Sequence, residues 1–539
     1  MPPHRRAYRP TVMGTRGAVA SAHPLASMAG VQILLAGGNA VDAAVAVGST
    51  LNVVEPFMSG IGGIGLMLVS RRGGERHVLD FIGGAPRAAD VARCTEDEQG
   101  AGPKACATPG NLGGWLAAHE RFGRLPRAAV LEPAIGHAER GVPLTFKSVE
   151  FFTQARATLE RSREATRLYW PSGGPRAGAV VTYKDLASTL RQVAEGGAEA
   201  FYRGPIAKTL ARGVQEAGGW LDEGDLAAFR PEWRQPVRIT WRGHEIDSMP
   251  PPFSSFQMLQ TLNVLEAFDL RGWGHNSVDY LHHLIETIKL ASADRLAYAY
   301  GGNTPIAGLL SKAYAASQRA RIDARRAAVS EGERYDPVRL AGQVSEGHPA
   351  RFENEQTTHF ACADAEGTVV SVTQTLGGPF GSGFAVPGTG IVLNNILKWA
   401  DRQPESPNVL RPGRKAGSMM SPTQVFRDGE FRLSIGTPGS YGIIQTQPQM
   451  LLNVLEFEMN VQEAIEAPRV RVYRDRMVDV EGRIPESVRA GLAERGHTLH
   501  ALDDWSWVVG GGQGIARDPE SGALMAGADP RRDGYALAI

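Results

Sequence analysis

The segment EQTTHFACADAEGTVVSVTQTL, Glu355 to Leu376, decides the fold. From Thr357 to Thr375 it is rich in Thr, Val and Phe in alternation, and Asp364-Ala365-Glu366-Gly367 interrupts the run, which is the pattern of a β-hairpin. A turn centred on Glu366 sets Thr375 across from Thr357 on one sheet face, within reach of a hydroxyl-to-hydroxyl hydrogen bond. By themselves two adjacent threonines are ordinary strand formers. They gain a chemistry if the peptide bond before Thr357 is cut. The freed α-amine, with an ordinary pKa near ~7.7, then accepts the proton of the Thr357 hydroxyl, so nucleophile and base belong to one residue.

Working outward, the charged, weakly periodic stretch Arg319 to Glu355 reads as a mobile loop before the hairpin. Further upstream, Leu25–Leu35 and Ala40–Val54 read as helices parted by Gly37-Gly38-Asn39, and their dominance by Ala, Leu and Val implies burial on most sides. SGIGGIG, from Ser59 to Gly65, then leads into a buried strand at Leu66–Val69. Apolar helices are expected at Leu112–Glu120, Phe256–Ala267 and Val278–Tyr300, in one helical layer. Downstream, strands are expected at Gly390–Leu393, Glu430–Ile435 and Met477–Val480 and a helix at Ile443–Phe457. Between them Gly436 to Gly442 forms a turn-rich loop whose backbone N–H groups are free to stabilise an oxyanion. Uneven runs of strand and helix favour an α+β layered sandwich over a doubly wound sheet.

At 539 residues the chain is long enough for a large layered core, and 42% hydrophobic with 21% charged residues is ordinary for a globular enzyme. Fifty-seven basic residues balance fifty-seven acidic ones, which gives no reason to expect nucleic acid as a partner. No stretch reaches the roughly 20 apolar residues that span a bilayer, and the first seventeen residues lack the apolar run of a secretory signal, so a cytoplasmic protein without a membrane partner is expected. Cys94, Cys106 and Cys362 are too few and too scattered for a disulfide framework, and buried thiols are expected. Gly60, Gly62 and Gly65 match a dinucleotide fingerprint in spacing, but a helix precedes them and none follows, against the context that fingerprint needs. His282 and Glu286 stand four apart on a helix face without an evident third ligand, the spacing of a surface hydrogen-bonded pair rather than a zinc site. Neither a metal nor a cofactor is expected.

The pieces GGNAVDAAVA (37–46), SGIGGIG (59–65), EQTTHF (355–360), FGSG (380–383), PGTGIVLNN (387–395), MSPT (420–423) and ADPRRDGYA (528–536) resemble, in this order, the γ-glutamyltransferase family. The resemblance runs from about residue 17 to the end. It implies the four-layer αββα sandwich of N-terminal-nucleophile hydrolases, processed by self-cleavage between Gln356 and Thr357 into a large subunit, 1–356, and a small one, 357–539, within one layered domain. By the same resemblance Thr357 is the nucleophile, Thr375 its supporting threonine, and Gly439 and Ser440 the oxyanion hole, a Gly-Gly pair in the family.

The residues with which that family holds a glutamyl group are largely replaced. Ile82, followed by Gly83, stands where an arginine is expected, Gly377 where an asparagine is, and Ile396 and Trp399 where a glutamine and an amine-binding aspartate are. Lys398 replaces a further acid; of a serine pair Ser418 remains and Met419 takes the second place. A zwitterion in such surroundings would have two unpaired, desolvated charges. The expectation is therefore an amidohydrolase for a small non-glutamyl acyl amide, resembling acylases or oxamate amidohydrolases. A true γ-glutamyltransferase or glutathione hydrolase, and a non-catalytic proenzyme-like scaffold, are the alternatives.

Overall fold

The computed structural model describes residues 7–539 apart from 171, 301 and 331–355. Most of the loop expected before the hairpin thus lies outside the described residues.

Two antiparallel seven-stranded sheets stack face to face. One runs, in spatial order, Tyr535–Ala538, Gly17–Ser21, Gln356–Asp364, Val369–Gly377, Ile64–Ser70, Arg76–Asp80, Glu232–Arg234. The other runs Val12–Gly14, Leu524–Ala528, Gln513–Arg517, Glu430–Gly436, Thr423–Arg427, His244–Ser248, Val237–Trp241. The alternation read from the sequence fixes which face each side chain serves. In Gln356–Asp364, Phe360 and Cys362 enter the core under one helical layer, whereas Ala361 and Ala363 face the other sheet and pack near Ala18, Ala20, Ala526 and Ala528. These small residues let the sheets approach closely, with Phe426, Phe431 and Ile515 filling the remaining space.

A helical layer covers each outer face, which makes the four-layer αββα sandwich. The first layer includes Pro24–Leu35, Ala40–Val54 and Asn111–Phe122. Ala40–Val54 starts with a capping box, Asn39 with Asp42, and is buried along its whole length. The second layer contains Phe256–Leu265, Val278–Tyr298 and Ile443–Leu455. The helices expected to form a single layer are therefore divided between the two, because apolar periodicity marks a buried face without saying which sheet it covers. Both halves of the chain contribute strands to both sheets. All three cysteines are buried. Among the described residues no helix is long and apolar enough to cross a membrane.

Candidate active site

The hairpin folds as its turn chemistry dictates. Asp364 Oδ1 accepts the N–H groups of Glu366 and Thr368 at 3.0 and 2.9 Å, and Gly367 supplies a left-handed residue at φ 88°. From Ala363↔Val369 to Thr358↔Gln374 the register is the one a turn at Glu366 requires. It then shifts: Gln356 pairs with Gly377, so Thr357 faces both Thr375 and Leu376 across a bulge. Bulges re-aim side chains, and this one falls at the residue with the expected chemistry. By strand alternation Thr357 lies on the face between the sheets, with His359 and Ala361. Thr375 shares that face through its pairing with Ile64, and its Oγ1 accepts the N–H of Gly377 at 2.8 Å. Thr357 and Thr375 are both buried.

The glycines of SGIGGIG are explained by close approach rather than by a phosphate. A β-carbon on Gly63 would meet the Thr375 carbonyl oxygen at 2.3 Å, and one on Gly62 the Val392 oxygen at 2.1 Å. The strand Ile64–Ser70 follows them, not a helix.

Opposite the hairpin, Glu430–Gly436 ends against His359: a β-carbon on Gly436 would meet the imidazole at 2.3 Å. Burial pushes that imidazole down to about 3, so it is neutral, and its Nδ1 bonds the Thr373 hydroxyl at 2.9 Å. The chain then turns through Gly439, at φ 134°, and Ser440, at φ 56°, and passes by a short 3-10 turn, Ser440–Gly442, into the helix Ile443–Leu455. The start of a helix has N–H groups without intrahelical partners and the positive end of the macrodipole, a natural place to hold a developing oxyanion. The left-handed geometry of both residues accounts for the Gly-Gly pair of the resembled family.

The ADPRRDGYA segment joins these parts. Arg531, fully buried, donates to Glu481 at 2.7 and 2.6 Å and to Asp529 at 3.0 Å, while Arg469 donates to Asp529 at 2.6 Å. Burial alone would raise the Asp529 carboxyl, but the two guanidinium charges outweigh it and hold it down at about 2. Asp529 in turn receives the N–H of Gly512 at 3.0 Å, which fixes the Gly510-Gly511-Gly512 loop, and Gly511 N–H donates to the Thr437 hydroxyl at 3.0 Å. Arg532 lies against Gly511, where a β-carbon would meet its Cδ at 2.8 Å, and donates Nη1–H to the main-chain carbonyl of Thr357 at 3.0 Å. The loop bearing Gly439 and Ser440 is tied to Thr357 through this chain of contacts.

The expected acyl-binding positions fall in two places. Asn395 N–H bonds the Leu376 carbonyl at 2.8 Å and its side chain receives the N–H of Gly378 at 2.8 Å, so the segment carrying Ile396, Lys398 and Trp399 runs beside the bulge. Ile82, Ile396 and Trp399 share one buried cluster, with Leu397 and Met420, and Lys398 is half-buried. A β-carbon on Gly83 would meet the Thr108 carbonyl oxygen at 1.8 Å, which leaves no room for an acid. Met419 departs from the expected grouping, because its side chain packs into the core beneath the other sheet. Ser418 is buried; its hydroxyl accepts Met420 N–H at 3.2 Å and its carbonyl accepts Ser254 N–H at 2.9 Å.

His282 and Glu286 do acquire a third neighbour, His497, with ligand atoms within 4.8 Å of one another. The three are engaged in hydrogen bonds. His282 Nε2 bonds the Asp323 carbonyl, so its Nδ1 accepts from His497 Nε2 at 2.9 Å, and Glu286 holds the Lys289 ammonium at 2.7 Å. Burial and the nearby charges of Lys289, Arg495 and Arg476 push His497 down to about 3, a positive field that opposes a bound cation as well as a proton.

Sequence reasoning passed over Glu55 and Arg532. Glu55 ends the Ala40–Val54 helix and accepts the Thr358 hydroxyl at 3.0 Å; burial pushes its carboxyl up to about 8 against the pull of Arg532. An acid between an apolar helix and Pro56, and a second arginine in ADPRRDGYA, were the available signals.

The family described as Gamma-glutamyltranspeptidase matches residues 26–539. The chain is 38% identical to the Acylase ACY 1 proenzyme of Pseudomonas sp. (strain V22), over 98% of this chain and 94% of that one. It is 33% identical to the Glutathione hydrolase proenzyme of Escherichia coli (strain K12), over 96% and 91%. Among solved structures, cephalosporin acylase from Bacillus halodurans superposes with a TM-score of 0.89 at 32% identity, covering 100% of this chain and 98% of that one.

Proposed function

Because this chain belongs to the gamma-glutamyltranspeptidase family and is an N-terminal-nucleophile amidohydrolase, we propose that it matures by cutting its own Gln356–Thr357 bond and then hydrolyses a small amide whose acyl group is not glutamyl. The Thr357 hydroxyl attacks the Gln356 carbonyl, the acyl group moves from nitrogen to oxygen, and water opens the ester to leave a free α-amine on residues 357–539 beside residues 1–356. In turnover that amine takes the hydroxyl proton as Oγ bonds to the substrate carbonyl. The N–H groups of Gly439 and Ser440 hold the oxyanion, the leaving amine receives the proton, and water releases the acid. Thr375 supports Thr357 across the bulge.

The observation that carries the specificity is the joint burial of Ile82, Ile396 and Trp399 in one apolar cluster beside the bulge. Apolar side chains at these positions offer an α-ammonium no partner. A relative named as an acylase and a solved structure named as a cephalosporin acylase support the same reading. The test is kinetics of processed protein on matched p-nitroanilides. A missing charge partner costs ~3 kcal/mol, or over a hundredfold in kcat/KM, so glutaryl-p-nitroanilide should exceed γ-glutamyl-p-nitroanilide by about that factor. A clear preference for the glutamyl compound replaces this reading with that of a glutathione hydrolase.

A further inference from the structure

At the end of the sandwich away from Thr357, the turns of both sheets enclose an open-mouthed cavity of about 600 Å³. The hairpin turn at 364–367, the turn after Ile64–Ser70 and the turns that follow Thr423–Arg427 and Gln513–Arg517 all line it. Thr357 stands near the start of the strand Gln356–Asp364 and the cavity at its end, roughly 24 Å away at about 3.4 Å per residue. The floor is apolar, made by Val369, Phe426, Phe431 and Leu524, which are buried between the sheets. The mouth is cationic, with Arg71, Arg72 and Arg517. Ser70 completes the wall. It is 2% exposed, and its hydroxyl has no hydrogen-bond partner among the described residues. Met67 and Val69 pack under the first helical layer, so strand alternation turns Ser70 the other way, into the gap between the sheets where the cavity lies.

We infer that this cavity is a second binding site, for a small organic carboxylate: the Ser70 hydroxyl and the Arg72 guanidinium hold the carboxylate, and Val369, Phe431 and Leu524 receive the apolar body. The inference does not depend on what Thr357 does. A buried hydroxyl without a partner is destabilising, and a ligand oxygen supplies the acceptor it needs. The acids of the lining do not repel an anion as free charges would. Asp364 Oδ1 takes the N–H groups of the hairpin turn and its Oδ2 the Ala40 N–H at 2.9 Å, while Glu430 receives Arg517 at 2.9 Å. Arg71 pairs with Glu75 at 3.1 Å, whereas Arg72 has no acidic partner among the described residues. The Arg72 side chain lies along the hairpin turn, where a β-carbon on Gly367 would meet its Cβ at 3.3 Å and its Nε at 3.5 Å. A guanidinium over an apolar floor selects among anions. It favours one with hydrocarbon to bury, because that burial adds to the charge-assisted hydrogen bond, over a fully hydrated inorganic ion.

The test applies 6-bromohexanoate and inorganic phosphate to the full chain, as wild type, Arg72→Gln and Ser70→Ala. Crystals soaked in 6-bromohexanoate should show an anomalous bromine signal against Val369, Phe431 and Leu524, with the carboxylate at Ser70 and Arg72. In calorimetric titration its dissociation constant should rise at least about tenfold in each variant, the effect of losing one charge-assisted hydrogen bond. Folding does not confound the result. Arg72 is exposed, and Ser70→Ala removes a hydroxyl with no partner, so without ligand its melting temperature should be no lower than that of wild type. A lower one would mean that the hydroxyl serves the fold, and would overturn the inference. A cavity without bromine signal overturns it as well. So does a signal there with solution affinity unchanged in both variants, which is binding at crystal concentration only, and so does phosphate that displaces the carboxylate at equal affinity, which is recognition of charge alone.

Discussion

Gly377 stands against Asn395 so closely that a β-carbon on it would meet the Asn395 carboxamide oxygen at 2.1 Å, and its backbone is left-handed at φ 102°. That oxygen is fixed by Gly378 N–H, and the Asn395 amide nitrogen by the Gly100 carbonyl, both at 2.8 Å. The asparagine of the glutamyl-specific pattern therefore has no room at 377. Gly377→Asn should lower stability by about 2–3 kcal/mol in urea denaturation and bring no gain on γ-glutamyl-p-nitroanilide. A stable variant with improved glutamyl turnover would mean that Asn395 yields easily and that specificity lies elsewhere.

Ser440 keeps a left-handed backbone at φ 56°. Such a conformation costs an L-residue about 1 kcal/mol that glycine avoids, offset in part by the greater unfolded-state freedom of glycine. Ser440→Gly should therefore raise the denaturation midpoint slightly while cleavage and turnover persist, since the donors proposed for the oxyanion are backbone N–H groups. A lower midpoint would show that the serine hydroxyl holds the loop.

Thr375→Val keeps the shape of the side chain and removes the oxygen that accepts Gly377 N–H at 2.8 Å. The lost bond should cost about 1–2 kcal/mol, with the chain still folded. Self-cleavage should slow at least about tenfold, a loss of some 1.4 kcal/mol of transition-state stabilisation. Maturation at the wild-type rate would sink the supporting role.

Much of this site is legible in the sequence because it depends on local rules. Turn chemistry at Asp364 and Gly367 fixes the hairpin, and alternation assigns its faces. The pairing of Thr357 with Thr375 is nearly right, but it fails by the one residue that the bulge inserts, since register near a strand end is set by partners such as Gly63 that lie far away in sequence. That Glu55 and Arg532 meet is illegible for the same reason. They are separated by most of the chain, and only the stacking of helix, sheet and loop brings both to one peptide. The division of helices between two layers and the packing of Met419 beneath the second sheet are likewise tertiary choices that periodicity leaves open.

The central claim is that Thr357 becomes an N-terminal nucleophile, and the most direct test is the intact mass of the purified protein and of Thr357→Ala after long incubation. The expected result is two fragments, residues 1–356 and 357–539, from the wild-type chain, and one uncut, inactive chain from the variant. A wild-type chain that stays whole, or a Thr357→Ala chain cut at the same bond, would contradict it.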